Sequence, residues 1–220
     1  MNFYNLATLF LDLLFPPRCF GCREILPLFE QGDHLCPACR VQITCLNEFR
    51  TLNGRPCFCI TLYAGLIRKL IWQLKFRKRR DRQKLLASIV LNDFPESFQD
   101  CDVMIPVPLS KQRSKERGFN QAELLLRDLA TALNKPLALE LVLRVKDTRH
   151  MYKLHEWERL EEITGAFELS TGAEAIIRGK NVLLFDDIIT TGKTVNEIAT
   201  LLEGAGVKKV YILGLAKTKH

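Results

Sequence analysis

Asp186 and Asp187 stand side by side between four apolar residues, Val182–Phe185, and the run Ile188-Ile189-Thr190-Thr191-Gly192-Lys193-Thr194. The apolar run predicts a strand buried on both faces, ending where the carboxylates begin, as in a parallel sheet. Val195, Ile198, Leu201 and Leu202 recur at helical spacing and predict a helix from about Thr194. A strand that passes into a helix through hydroxyls and free amides makes an anion site, and the helix dipole favours a phosphate there. The carboxylates cannot bind that phosphate. They suit the vicinal hydroxyls of a ribose, or a Mg²⁺ carrying phosphate oxygens, so the set describes a ribose 5-phosphate. A P-loop, Gly-x-x-x-x-Gly-Lys-Thr, would need glycine where this chain has Asp187, and a carboxylate there would repel a triphosphate. Asp and Thr also cap ordinary helices, but rarely two of each with a glycine after a buried strand.

A second chemistry lies in the cysteines. Cys19-Phe20-Gly21-Cys22 and Cys36-Pro37-Ala38-Cys39 are two Cys-x-x-Cys knuckles separated by residues 23–35. Two such knuckles complete a closed Cys₄ site of the kind that holds structural zinc. The segment is too short to build its own core, so the metal would stabilise it. Cys57-Phe58-Cys59 reads as packed thiols rather than the remnant of a second knuckle, Cys45 is assigned no role, and with no export signal disulfides are not expected.

The remaining chemistry is cationic. The net charge of +7 suggests a polyanionic partner. Positive charge is densest at Lys75 and Arg77-Lys78-Arg79-Arg80, with Trp72 and Phe76 interleaved. Basic residues contact phosphates and exposed aromatics stack on unpaired bases, so Trp72, Lys75, Phe76, Arg77, Lys78, Arg79 and Arg80 form a candidate nucleic-acid surface. The alternative is core aromatics beside a solvated basic loop. Further on, Val103–Pro108 predicts a strand running into a proline-constrained turn. Lys111, Arg113, Lys115 and Arg117 follow, and then a helix over 121–133. That is a second anion turn, built like the first.

The elements that must position these groups follow from periodicity. Strands alternate with helices through the second half, which predicts a parallel α/β sheet with sites at the strands' carboxyl ends. Met1–Phe15 reads as an amphipathic helix stopped by Pro16-Pro17, too short to span a bilayer. The chain is therefore expected to be cytoplasmic, with no transmembrane segment. The composition shifts near Ile60, so residues 1–59 are expected to form the N-terminal helix and zinc finger, and residues 60–220 the α/β domain.

Phe185–Thr194 resembles the phosphoribosyl-pyrophosphate (PRPP) motif of type I phosphoribosyltransferases. The resemblance implies that Asp186 and Asp187 are the catalytic pair that holds the ribose hydroxyls. Thr190, Thr191, Gly192, Lys193 and Thr194 would wrap the 5-phosphate. Pro108, Lys111, Arg113 and Arg117 would hold pyrophosphate, with Mg²⁺ bridging the ligand. The segment 144–167 matches the covering loop of such enzymes, carrying Arg149, Lys153 and Arg159; it departs from the pattern at Met151 and Glu162. Ile105-Pro106-Val107-Pro108 with Arg117–Gln121 resembles the ComF family (ComFC and GntX-like proteins) more narrowly. In that family a Cys₄ zinc finger precedes a type I phosphoribosyltransferase-like parallel sheet flanked by helices. The resemblance implies a competence protein of natural transformation that handles incoming single-stranded DNA in the cytoplasm. PRPP would be its small ligand and the competence machinery its protein partners. The other reading it leaves open is an active phosphoribosyltransferase acting on an unidentified base or nucleotide.

Overall fold

The computed structural model describes residues 13–27, 34–77, 79–146 and 165–219. The first knuckle turns back on itself, with Arg18 bridging Ile25, and the second opens a short helix, α1 (Pro37–Arg40). A hairpin follows, β1 (Cys45–Leu52) and β2 (Arg55–Leu62). Its turn is Asn53-Gly54, and both residues have positive φ, 48° and 81°. Asn-Gly is the pair that a two-residue type I′ turn favours. Next come α2 (Gly65–Arg77), α3 (Gln83–Asn92), β3 (Val103–Pro106), α4 (Lys111–Arg117) and α5 (Gln121–Ala132). The chain continues through β4 (Val142–Arg144), β5 (Phe167–Leu169), α6 (Ala173–Ile177), β6 (Asn181–Ile189), α7 (Lys193–Gly204) and β7 (Lys209–Lys217).

The main sheet has the order β1-β2-β7-β6-β3. Only β1 runs antiparallel to its neighbour; β2, β7, β6 and β3 are parallel. Strand side chains alternate between two cores. Leu183, Phe185, Tyr211 and Leu213 pack with Leu70, Leu86 and Leu125 of α2, α3 and α5. Val182, Leu184, Val210 and Ile212 pack with Ile177, Ile198 and Leu202 of α6 and α7. Each such side chain stabilises the fold by about 2 kcal/mol when fully buried. The continuous apolar run at 182–185 is thus a strand covered on both faces, as its composition predicts.

Two expected boundaries move. β6 does not stop at Phe185: pairing with β7 continues to Ile189↔Lys217, so the aspartates sit within the strand's last turns of pleat. The division at 59/60 falls inside β2, whose residues Cys57 to Leu62 pair with Ile212 to Lys217 of β7. A strand whose backbone groups are satisfied by the sheet's centre belongs to that sheet, so the α/β body begins at β1. The cysteine segment is packed on this body. Cys19, Cys36 and Cys39 share one buried cluster with Leu66 and Ile67 of α2. No helix among the described residues is long and apolar enough to cross a membrane. Residues 1–12, Lys78, and the covering-loop residues Arg149, Lys153 and Arg159 lie outside the described residues.

Candidate functional site

The carboxyl ends of β3 and β6 lie side by side and open a cavity of about 260 Å³. Asp186, Asp187, Thr190 and Thr194 form one wall; Pro108, Arg113 and Arg117 form another. Lys75 from α2, Asn120 from the start of α5 and Arg144 from β4 complete it. The turn after β6 is set by Gly192, whose φ of 78° is left-handed and natural for glycine. A Cβ there would come within 2.8 Å of the Leu52 side chain. Of the five candidate phosphate residues, Thr190 and Thr194 line this cavity, and Thr191, Gly192 and Lys193 make the turn between them.

The second anion segment is a helix rather than a turn. Ser110 caps α4 by accepting from the Arg113 amide at 3.3 Å, and Gly118 ends the helix at φ 76°. Helical spacing then sorts the cations. Arg113 and Arg117, one turn apart, face the aspartates, whereas Lys111 and Lys115 face a neighbouring cavity of about 550 Å³. Lys111 is therefore separated from Arg113 and Arg117. Asn120 fastens this region: its Nδ2 donates to the Val107 carbonyl (3.0 Å) and its Oδ1 accepts from the Ala122 amide (3.1 Å).

The two carboxylates resolve their mutual repulsion unequally. Burial, reinforced by the charge of Asp187, pushes Asp186 up to about 8. Its Oδ1 accepts from the Asp187 amide at 2.8 Å. Asp187 is 7% exposed and pairs with Lys75, whose Nζ lies 2.5 Å from Oδ2. This is a charge contact outside hydrogen-bond geometry, because the same oxygen has no directed donor. A buried carboxylate held only by a lysine ammonium, beside a second carboxyl, fits a ligand hydroxyl or a hydrated divalent cation. Across the cavity, burial and then the charge of Arg113 push the Arg117 pKa down. Arg117 Nη1 donates to Gln121 Oε1 at 2.7 Å, while its buried Nε has no partner. The Arg117 wall thus holds an unsatisfied donor.

The knuckles meet as their spacing predicts. The sulfurs of Cys19, Cys22, Cys36 and Cys39 all lie within 4.8 Å of one another, an arrangement able to hold a metal ion. Burial opposes ionisation of Cys19, but the amides of Cys36, Cys22 and Gly21 outweigh it and bring the thiol down to about 6. Gly21 is required by space: a Cβ would meet Cys39 Sγ at 2.5 Å. Around the four cysteines, Phe20 stacks on His34 and receives the Arg82 guanidinium 3.4 Å from its ring centroid. Cys57 and Cys59 are buried on β2, away from the knuckles, as expected of packed thiols; Cys45 is exposed.

The basic run divides. Trp72 and Phe76, one helical turn apart on α2, are 44% and 57% exposed. Arg77 sits over Trp72 (5.3 Å), Arg80 over Phe119 (5.1 Å), and Arg79 pairs with Asp81. Lys75 leaves this surface. Helical rotation places it in the row of buried Ile71, with its side chain on Asp187, so it belongs to the cavity and not to the ridge. Arg82 is buried and holds Gln73 and Asp81. Sequence reasoning assigned no role to Asn120 or Arg144. The Arg117–Gln121 stretch hints at the first, and the second opens the segment 144–167 that resembles a covering loop.

A parallel sheet with this acidic and hydroxyl-lined strand end, preceded by a four-cysteine module able to hold a metal ion, is the architecture of a phosphoribosyltransferase-type domain with a small appendage. Residues 120–220 match the family described as "Phosphoribosyl transferase domain". The whole chain is 31% identical to competence protein F of Haemophilus influenzae, covering 99% of each chain. It is 30% identical to DNA utilization protein YhgH of Escherichia coli, over 94% of this chain and 99% of that one. Competence protein ComFC of Bacillus subtilis matches at 29%, over 84% of this chain and 77% of that one. The chain belongs to the ComF family. Among solved structures, the adenine phosphoribosyltransferase of Thermoanaerobacter pseudethanolicus superposes with a TM-score of 0.40. Its identity is 16%, over 64% of this chain and 83% of that one.

Proposed function

We propose that this is a competence-type DNA-handling protein whose α/β body binds PRPP with magnesium and whose exposed α2 face binds single-stranded DNA in the cytoplasm. One observation carries the reading. The acid pair and Thr190 and Thr194 face Arg113 and Arg117 across a single cavity, a few ångströms from an exposed aromatic and basic ridge. Asp186 and Asp187 fit the ribose hydroxyls, directly or through the magnesium that enters with pyrophosphate. Thr190 and Thr194 fit the 5-phosphate, and Arg113 and Arg117 the pyrophosphate. Pro108 shapes the turn between them. Zinc is the metal proposed for Cys19, Cys22, Cys36 and Cys39, as a structural ion with no open position. The relatives' names, competence protein and DNA utilization protein, support the DNA role. Competence-machinery proteins are the partners this role implies.

A second reading, transfer of the phosphoribosyl group to a base or nucleotide, is favoured by the facing charges. As the bond from C1 to pyrophosphate breaks, the departing oxygens would gain charge beside Arg113 and Arg117, and the sugar would become cationic beside Asp187. Charges placed in advance lower such a barrier. Lys75 bears on both readings, since it holds Asp187 before the ligand arrives.

Calorimetric titration of PRPP and Mg²⁺ into the wild-type chain tests the first reading, with Asp186→Ala and Asp187→Ala as comparisons. Binding that both variants abolish is expected. Equal binding by all three proteins would remove the acid pair from the site. Pyrophosphate release on adding nucleobases or DNA would establish the second reading.

A further inference from the structure

Trp72, Lys75 and Phe76 leave one helix in two directions. Lys75 reaches Asp187 inside the cavity, while Trp72 and Phe76 face solvent with ring centroids 5.9 Å apart. A second contact crosses the same boundary. Arg117, which lines the cavity, sets its guanidinium carbon 5.0 Å from the centroid of the Phe76 ring. Its Nη1 is taken by Gln121 and its buried Nε is one acceptor short. The guanidinium is therefore shared between an aromatic face outside and an unmet donor within.

This sharing sets a sign. An anion in the cavity would satisfy Nε and hold the guanidinium inward, leaving the face of Phe76 open to a base. In reverse, a base stacked on Phe76 would displace the guanidinium towards the cavity and its anion. Stacking on an aromatic ring is sequence-tolerant and strong enough to compete with an exposed cation–π contact. We infer that the two surfaces are positively linked: PRPP with magnesium in the cavity, and single-stranded DNA on the Trp72–Phe76 ridge, each tighten the other's binding through Arg117. This rests on the reading proposed above for both surfaces, and it requires no transfer chemistry. Linkage of binding is reciprocal, so the factor must be the same measured from either side. The route it requires is the one contact of Arg117 on Phe76, which either ligand would shift.

The test uses the full chain and fluorescein-labelled oligothymidine, followed by anisotropy with and without saturating PRPP and Mg²⁺, with Mg²⁺ alone as the control. Titration of PRPP with and without the oligonucleotide gives the reciprocal factor. The expected result is tightening of about fivefold or more in both directions. Phe76→Leu keeps apolar bulk at an exposed position but removes the ring, and should bring the factor close to one. Identical or weaker oligonucleotide binding with PRPP present overturns the linkage alone, since both ligands still bind. A factor undiminished in Phe76→Leu overturns the assigned route. Failure of either ligand to bind the wild-type chain overturns the underlying reading, and the linkage with it.

Discussion

The cysteine module and the aspartate cavity both concentrate negative charge in a small, mostly buried space, and they settle it by opposite means. Around the four sulfurs, backbone amides draw Cys19 down to about 6, while burial drives Cys39 up to about 12. Among the described residues no cation faces the sulfurs as Lys75 faces Asp187, so a metal ion is the natural counter-charge. Around the aspartates the protein supplies its own: Asp186 keeps a proton and Asp187 borrows Lys75. A four-thiolate site closed by a metal, as proposed here, would be permanent and structural. A site balanced by a proton and a lysine can be opened by a ligand that brings hydroxyls or a cation.

Breaking the metal-closed side should give the largest effect. Cys39→Ser removes a buried ligand and is expected to abolish zinc retention, measured as metal per chain by mass spectrometry. Metal-coupled folding energies of about 10 kcal/mol or more are at stake in such sites. Because Cys39 shares a buried cluster with Leu66 and Ile67, the loss should also lower the thermal transition of the whole chain. A variant that keeps its zinc, or loses it with no change in melting, would show that the module is not closed by the metal.

On the other side the largest single effect should come from the ion pair. Asp187→Ala leaves Lys75, whose side chain is only 13% exposed, without its partner. Removing one member of a buried pair costs about 3 kcal/mol. The double variant Lys75→Met with Asp187→Ala should recover most of that stability but not ligand binding, because stability needs only a neutral pair and the ligand needs the carboxylate. Full recovery of binding would assign Asp187 a purely structural part.

Asp186 sharpens the contrast through pH. It keeps its proton in the folded chain up to about pH 8 and releases it near pH 4 when unfolded. Between these values the folded state binds more protons. Its contribution to stability is therefore complete below about pH 4 and declines as pH rises towards about 8. Asp186→Asn should flatten that part of the stability curve, read by denaturant titration across the range. A ligand that needs the ionised carboxylate gains from the same rise. PRPP affinity should increase by up to about tenfold per unit as pH approaches about 8, with proton release on binding at neutral pH. An affinity that stays flat from pH 6 to 8 would place the titration elsewhere.

The two sites were not equally legible. Knuckle geometry is local, so Cys-x-x-Cys spacing predicts which four sulfurs converge. The aspartates and their threonines also lie in one segment, and their strand and helix follow from periodicity. What faces them does not. Charge alone groups Lys75 with Arg77–Arg80, and only helical rotation against buried Ile71 and Leu74 reveals that it turns inward. Lys111 and Arg113 read as one basic turn until the Ser110 cap makes a helix that sends them to different cavities. Arg144 lines the cavity from a short strand paired with β5; the resemblance to a covering loop brings its segment to the site but does not single out this residue. The sheet order places β2 beside β7, a long-range pairing that a composition shift at residue 60 cannot foresee.

The smallest expected effects separate the two regions by the kind of constraint on their glycines. Gly21 has no left-handed backbone requirement; it is limited by Cys39, whose sulfur a Cβ would meet at 2.5 Å. Gly192 is limited by its backbone, with φ at 78°, and only secondarily by Leu52, a side-chain tip that can shift. Gly192→Ala should therefore cost about 1 kcal/mol of stability from left-handed strain alone. It should also weaken PRPP binding, because the turn places Thr190 and Thr194. Adding Leu52→Ala removes the steric part but not the strain, so calorimetry should show ligand affinity only partly regained. Gly21→Ala should leave PRPP affinity unchanged and instead lower zinc retention in competition with a chelator. If relieving Leu52 restored ligand binding completely, the turn after β6 would be held by packing, as the knuckle is, and the distinction between the two regions would fail at this point.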